Sequence, residues 1–153
     1  YFGFDGPPPI TEPVLILNGE NSLRDFEPSS TVINNVCFPS IISSRYAPEG
    51  KSLASITVIG AADGISDDAL QQTVRAQLSE WFGPETERGE FLKLYRVQYA
   101  QPAQTPPYSI EGLSEKLPGS DSVFICGDHR GTATLNGAIE SGRRAARAVV
   151  QSR

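Results

Sequence analysis

The sequence predicts an α+β fold: a mostly antiparallel sheet with one covering helix, followed by a terminal strand–helix unit. Three observations carry this expectation. The apolar patterning runs β, β, β, α, β, loop, β, α, without the regular alternation of a doubly wound parallel sheet. Residues 66–82 place their apolar side chains on one stripe at helical spacing. A strand-like run then ends at Gly127-Asp128, a few residues before a second helical pattern begins.

In chain order, Tyr1-Phe2-Gly3-Phe4-Asp5 reads as a short strand, ended by Gly6-Pro7-Pro8-Pro9 because proline has no ladder donor. Residues 14–18 form a second strand running into Asn18-Gly19, which is turn chemistry. Residues 21–30 are polar and irregular, and 31–39 are rich in β-formers and expected as a longer strand. Pro48 and Gly50 make 43–51 a loop. In the next strand Ala54, Ile56 and Val58 share one uniformly apolar side, which should face the core.

The first helix is expected over 66–82. Ser66 is the N-cap, Asp67 and Asp68 suit the positive end of the dipole, and Leu70, Val74, Leu78, Trp81 and Phe82 form the stripe. Gly83-Pro84 stops it. Residues 91–100 alternate like a strand, the three prolines of 101–107 demand an extended loop, 122–126 read as a short buried strand, and the last helix starts near Thr134.

Composition narrows the function classes. At 39% hydrophobic and 20% charged residues, the 153-residue chain can bury a core and is not wholly disordered. Its longest aliphatic runs resemble Val14-Leu15-Ile16-Leu17, far short of the roughly 20 residues of a membrane span. Residues 1–124 carry 8 basic and 16 acidic side chains, which disfavours nucleic acid as a partner; residues 125–153 carry 5 and 2, a solvated helix face. Cys37 and Cys126 sit in apolar runs and read as small buried hydrophobes. With no Cys-x-x-Cys and a single histidine, His129, no metal site is expected. The opening Tyr1 and the absence of Met point to a chain cut from a larger protein, and the expected compartment is the cytoplasm.

The stretch that bears on function is Val123-Phe124-Ile125-Cys126-Gly127-Asp128, the loop 129–133, then Thr134-Leu135-Asn136-Gly137-Ala138. Gly127 permits close backbone approach, and the Asp128 carboxylate can accept hydrogen bonds from polyol hydroxyls. The free N–H groups at the helix start suit an anion or an electron-rich carbonyl. The plain alternative is a strand–turn–helix in which Asp128 caps its own turn. Leu135, Ala138, Ile139, Gly142, Ala146 and Val149 fall on one helix face, expected to pack against a sheet or another backbone. No Gly-x-Gly-x-x-Gly occurs in the chain.

Ile125-Cys126-Gly127-Asp128 together with Leu135-Asn136-Gly137-Ala138-Ile139-Glu140-Ser141-Gly142-Arg143-Arg144-Ala145-Ala146 resembles the C-terminal flavin motif of the FAD-dependent amine oxidase and phytoene desaturase superfamily. Tyr46-Ala47-Pro48-Glu49-Gly50-Lys51-Ser52-Leu53 resembles the substrate-domain region of phytoene-dehydrogenase-related members, and 99–107 the segment approaching the flavin. The resemblance implies that Gly127 and Asp128 lie beside the FAD pyrophosphate and ribityl chain. It places Thr134, Leu135 and Asn136 at the helix start under the pyrimidine edge of the ring, with Ala138 as the small residue permitting approach. The superfamily's N-terminal Gly-rich nucleotide-binding βαβ does not occur in this sequence. Thr134 stands where true amine oxidases carry a tyrosine, so amine oxidation is not the expected reaction.

The expectation is therefore the C-terminal part of a flavin-dependent oxidoreductase. Residues 1–120 would be a portion of its substrate-binding domain, and 121–153 the strand–helix that completes its FAD-binding domain. Its partners would be a Rossmann-type N-terminal portion of the same protein and a small or lipophilic organic substrate. The alternative is a stand-alone α+β binding module without redox activity. Among single residues, His129 reads as a loop side chain, Arg130 as either a pyrophosphate ligand or solvent-facing, Arg45 and Tyr46 as loop packing beside a possible cleft, and Trp81 as core.

Overall fold

Five strands pair in the order β2–β3–β4–β1–β5, each neighbouring pair antiparallel, in a computed structural model that describes residues 1–19, 31–59, 64–106, 109 and 114–152. The strands are β1 (Phe2–Asp5), β2 (Ile16–Leu17), β3 (Asn35–Cys37), β4 (Lys51–Thr57) and β5 (Glu90–Phe91). The chain divides into two compact units, Tyr1–Tyr95 and Arg96–Arg153. The α+β class and the mostly antiparallel sheet are as the sequence predicts; the irregular stretch expected at 21–30 lies outside the described residues.

In the first unit the sheet is covered by α2 (Asp67–Phe82), and a one-turn helix α1 (Pro39–Ile42) precedes β4. Ser66 caps α2 by accepting the Ala69 amide at 3.2 Å, and Gly83, at φ 98°, ends it. Leu70, Val74 and Leu78 are buried against Phe2, Ile33, Val36, Phe38 and Ala54. The rings of Phe38 and Phe82 meet edge-on at 5.5 Å, as do those of Phe2 and Phe91 at 5.7 Å. Gln77, only 2% exposed, sits in the same stripe, where its Oε1 accepts both the Val32 and Ile33 amides at 2.9 Å.

That glutamine corrects one expected element. Residues 31–39 do not make a long strand: only Asn35–Cys37 pair, because the Val32 and Ile33 amides are already taken by Gln77, and Pro39 opens α1. The strand expected over 91–100 stops at Phe91. The Leu92 amide still reaches the Tyr1 carbonyl at 3.1 Å and the Tyr1 amino group donates to the Lys93 carbonyl at 2.9 Å; Tyr95, Val97 and Tyr99 beyond them are exposed.

The second unit holds α3 (Leu135–Gln151), preceded by a 3₁₀ turn at Asp128–Arg130. The short buried strand expected at 122–126 is reduced to a single bridge, Lys116 to Phe124, flanked by the Leu117 amide on Val123 and the Ile125 amide on Glu115. With no further ladder among the described residues, Val123 and Cys126 are exposed; Cys126 is not the buried hydrophobe its setting suggested. The expected packing face of the last helix is also largely exposed. Leu135, Ile139 and Val149 are 78%, 63% and 36% exposed, with Ala138 and Gly142 half-buried, and the buried row is Gly137, Ser141 and Ala145, one turn apart. At 100° per residue this row lies beside the apolar stripe, so α3 has two adjoining non-polar faces and fills one of them. Among the described residues no helix is long and apolar enough to cross a membrane.

Candidate functional site at the start of helix α3

Thr134 sets the start of α3. Its backbone is extended, its Oγ1 accepts the Gly137 amide at 3.0 Å, and its own amide donates to the Thr132 carbonyl at 2.7 Å. The next two amides, of Leu135 and Asn136, occupy positions that have no intrahelical acceptor. No hydrogen bond to either is present among the described residues, and both side chains are exposed. The positive end of a 17-residue helix therefore presents two open donors.

The loop leading to this start is held from below. The Gln104 amide group donates Nε2–H to the Gly131 carbonyl at 2.8 Å and accepts the Ala133 amide on Oε1 at 3.1 Å, acting as a piece of strand. Gly137 lets the loop lie directly on the helix: a Cβ there would stand 1.9 Å from the Thr132 carbonyl oxygen. Ala138 follows, half-buried, with its amide on the Thr134 carbonyl at 3.0 Å.

Gly127 adopts φ 146°, a conformation L side chains rarely take, and its amide donates to the hydroxyl of the fully buried Ser141 at 3.2 Å. This turns the chain into the Asp128–Arg130 turn, where the Gly131 amide closes on the Asp128 carbonyl at 3.1 Å. The N-cap of that turn is Gly127, which has no side chain to cap it. Asp128 stays half-exposed, with His129 Nδ1 at 4.0 Å from its Oδ1.

The turn and the first helical turn of this unit thus contain Gly127, Asp128, Thr134, Leu135, Asn136 and Ala138. Thr134 contributes through its cap, since its hydroxyl already serves the Gly137 amide and stands 2.9 Å from that of Thr132. Three supports escaped the sequence reading as supports. Ser141 was legible, four residues after Gly137 on one helix row, whereas Gln104 and Glu115 have no local signal. Arg130 bonds the Ser114 carbonyl rather than simply facing solvent. No group of three His, Cys, Asp or Glu among the described residues is placed to hold a metal. In the first unit, Tyr46 and Pro48 border an open cavity of about 290 Å³ together with Phe4, Leu53 and Leu92; Arg45 does not.

The family model for flavin-containing amine oxidoreductases matches residues 1–150. The chain belongs to that family. No curated protein and no solved structure matches it. A flavin-containing amine oxidoreductase needs donors for the carbonyl edge of its ring and acceptors for the ribityl hydroxyls. The open Leu135 and Asn136 amides and the half-exposed Asp128 carboxylate are groups of that chemical kind, so the residues present fit a flavin.

Proposed function

We propose that the chain is the C-terminal portion of a flavin-dependent oxidoreductase, a dehydrogenase, desaturase or oxidase, acting in the cytoplasm on a small or lipophilic organic substrate. The observation that carries this reading is the pair of open amides at a capped helix start, in a chain of this family. FAD, when bound, supplies the two-electron acceptor. Leu135 and Asn136 would then face the flavin's pyrimidine edge, where their N–H groups and the helix dipole stabilise the negative charge that reduction brings. Asp128 would accept hydroxyls of the ribityl chain, with Gly127 allowing the backbone to come close.

On this reading residues 121–153 complete the FAD-binding domain and 1–120 belong to the substrate portion, a boundary that falls inside the second unit, Arg96–Arg153. The exposed stripe of Leu135, Ile139, Val149 and Val150 is the surface that a Rossmann-type N-terminal portion of the same protein would cover. The cavity beside Tyr46 joins Phe4, Leu53 and Leu92 to the charged Asp5, Lys51, Arg88 and Glu90, a lining that suits a substrate with both apolar and polar parts.

The test is a redox titration of the flavin-loaded full-length protein with Asn136→Pro. Proline is tolerated in the first helical turn and removes one donor. The expected result is a lower reduction potential with FAD retained; each ~1.4 kcal/mol of lost charge stabilisation is a tenfold shift in equilibrium. An unchanged potential with the helix intact by circular dichroism refutes the placement of the flavin. A wild-type full-length protein that binds no flavin refutes the reading altogether and favours the stand-alone binding module.

A further inference from the structure

The two consecutive arginines of α3 do different work. Arg143 faces solvent and makes an in-helix pair with Glu140, at 2.9 and 3.0 Å. Arg144 turns to the opposite side of the buried row from the apolar stripe. Its Nε donates to Glu115 Oε1 at 2.6 Å, and its Nη2 donates to the Arg130 carbonyl at 2.6 Å. The Glu115 side chain is only 13% exposed.

We infer that Arg144 and Glu115 are a positioning pair that fixes the Gly127–Asp128 turn against α3, an inference that rests on the flavin reading above. The geometry brackets that turn. On its upstream side the Glu115 carbonyl receives the Ile125 amide at 2.8 Å, two residues before Gly127. On its downstream side Arg130 ends the 3₁₀ turn that Asp128 begins, and its side chain returns to the Ser114 carbonyl. One guanidinium on the helix therefore holds both ends of the segment carrying Gly127 and Asp128, while Ser141 holds its middle at the Gly127 amide. The fork of an arginine keeps two acceptors in a fixed mutual position, which an ammonium on a flexible stem does not. Without the guanidinium, a nearly buried carboxylate is left without its cation. Neither residue lies among the groups assigned to the flavin; both act through the orientation of Asp128 relative to the open amides of α3.

The experiment compares Arg144→Lys, Glu115→Gln, their combination and Arg143→Lys in the full-length protein. It measures the FAD dissociation constant, the flavin visible circular dichroism, the melting of the apo forms, and the NMR positions of the Gly127 and Asp128 amides. Arg144→Lys and Glu115→Gln are each expected to weaken FAD binding about tenfold, to alter the flavin dichroism and to shift both amides. The double variant should be little worse than the worse single one, because both break one interaction. Arg143→Lys should change none of these. Unchanged FAD affinity in Arg144→Lys, including the case in which only apo melting falls, overturns the inference. If the wild type binds no flavin, the flavin reading falls by itself. The amides then decide the pair: a shift in Arg144→Lys and not in Arg143→Lys sustains it, and no shift overturns it.

Discussion

Two glycines of α3 should respond in opposite directions to the same substitution. A methyl group at Gly137 would stand 1.9 Å from the Thr132 carbonyl oxygen and 2.6 Å from its Oγ1. To reach even 3.0 Å from the carbonyl, the loop backbone has to retreat by about 1.1 Å, and no side-chain rotation can substitute for that movement. The retreat loosens the Gln104 bonds to Gly131 and Ala133 and the Thr134 cap on Gly137. Forced overpacking costs roughly 1–3 kcal/mol, and each weakened hydrogen bond about 1 kcal/mol. Against this stands the ~1 kcal/mol that alanine gains over glycine inside a helix. The net expectation for Gly137→Ala is a loss of about 1–3 kcal/mol. At Gly142 nothing lies within 4 Å of the added Cβ, so only the helix-propensity term remains, and Gly142→Ala should stabilise by roughly 0.5–1 kcal/mol. Urea unfolding of the 153-residue chain followed by far-UV circular dichroism measures both, with Trp81 fluorescence reporting the first unit separately. Gly137→Ala as stable as the wild type, or both variants shifting in the same direction, would refute the close approach of loop and helix.

Three further outcomes are expected. Gln77→Leu should destabilise the first unit by about 2–4 kcal/mol in urea titrations, because the buried Val32 and Ile33 amides lose their common acceptor; a loss under 1 kcal/mol would deny that role. Asp128→Ala should weaken FAD binding in the full-length protein by roughly 1–3 kcal/mol while apo melting stays put, since the carboxylate is half-exposed; the reverse pattern makes it a turn residue. The hydrogen bond from Arg143 holds the Glu140 carboxyl below the usual glutamate range, with Arg144 and Arg147 adding attraction. A pKa lower in the folded than in the unfolded chain adds stability above the unfolded value and loses it as pH falls through the folded one. Arg143→Gln should therefore raise the Glu140 midpoint in an NMR pH titration, and an unmoved midpoint would contradict the pairing.

The sequence carried most of what local patterning encodes. Ser66 with Asp67 and Asp68, the Leu70–Val74–Leu78 stripe and the Gly83 stop marked α2 because caps and periodicity act within a few residues. Thr134 marked the start of α3 for the same reason. The misjudged strands depended on partners far away in the chain. Val32 and Ile33 have strand-forming side chains, yet their amides go to a glutamine 44 and 45 residues distant, and no local pattern reveals that. The face of α3 was misassigned because large apolar residues and small ones both satisfy helical spacing. Which row is filled depends on Gly131 and Gly137 admitting the loop backbone, and the larger stripe remains exposed. At the candidate site the turn and helix start were readable from residue types, while Gln104 and Glu115 enter only through the three-dimensional path of the chain.

The strand order has a consequence for synthesis. β1 is made long before the strands it pairs with: it lies between β4 and β5, and its partner for Phe2 is Ala54 on one side and Phe91 on the other. At roughly 5–20 residues per second, β1 waits about 3–10 s for its first neighbour and nearly twice as long for its second. During that interval both of its edges are open and Phe2 has no core to enter. Closure then requires loops of some 50 and 90 residues, the kind of non-local pairing that folds slowly. β1 is thus made well before either strand that shields it, so during synthesis Phe2–Asp5 keeps an unpaired edge until Phe91 has been added.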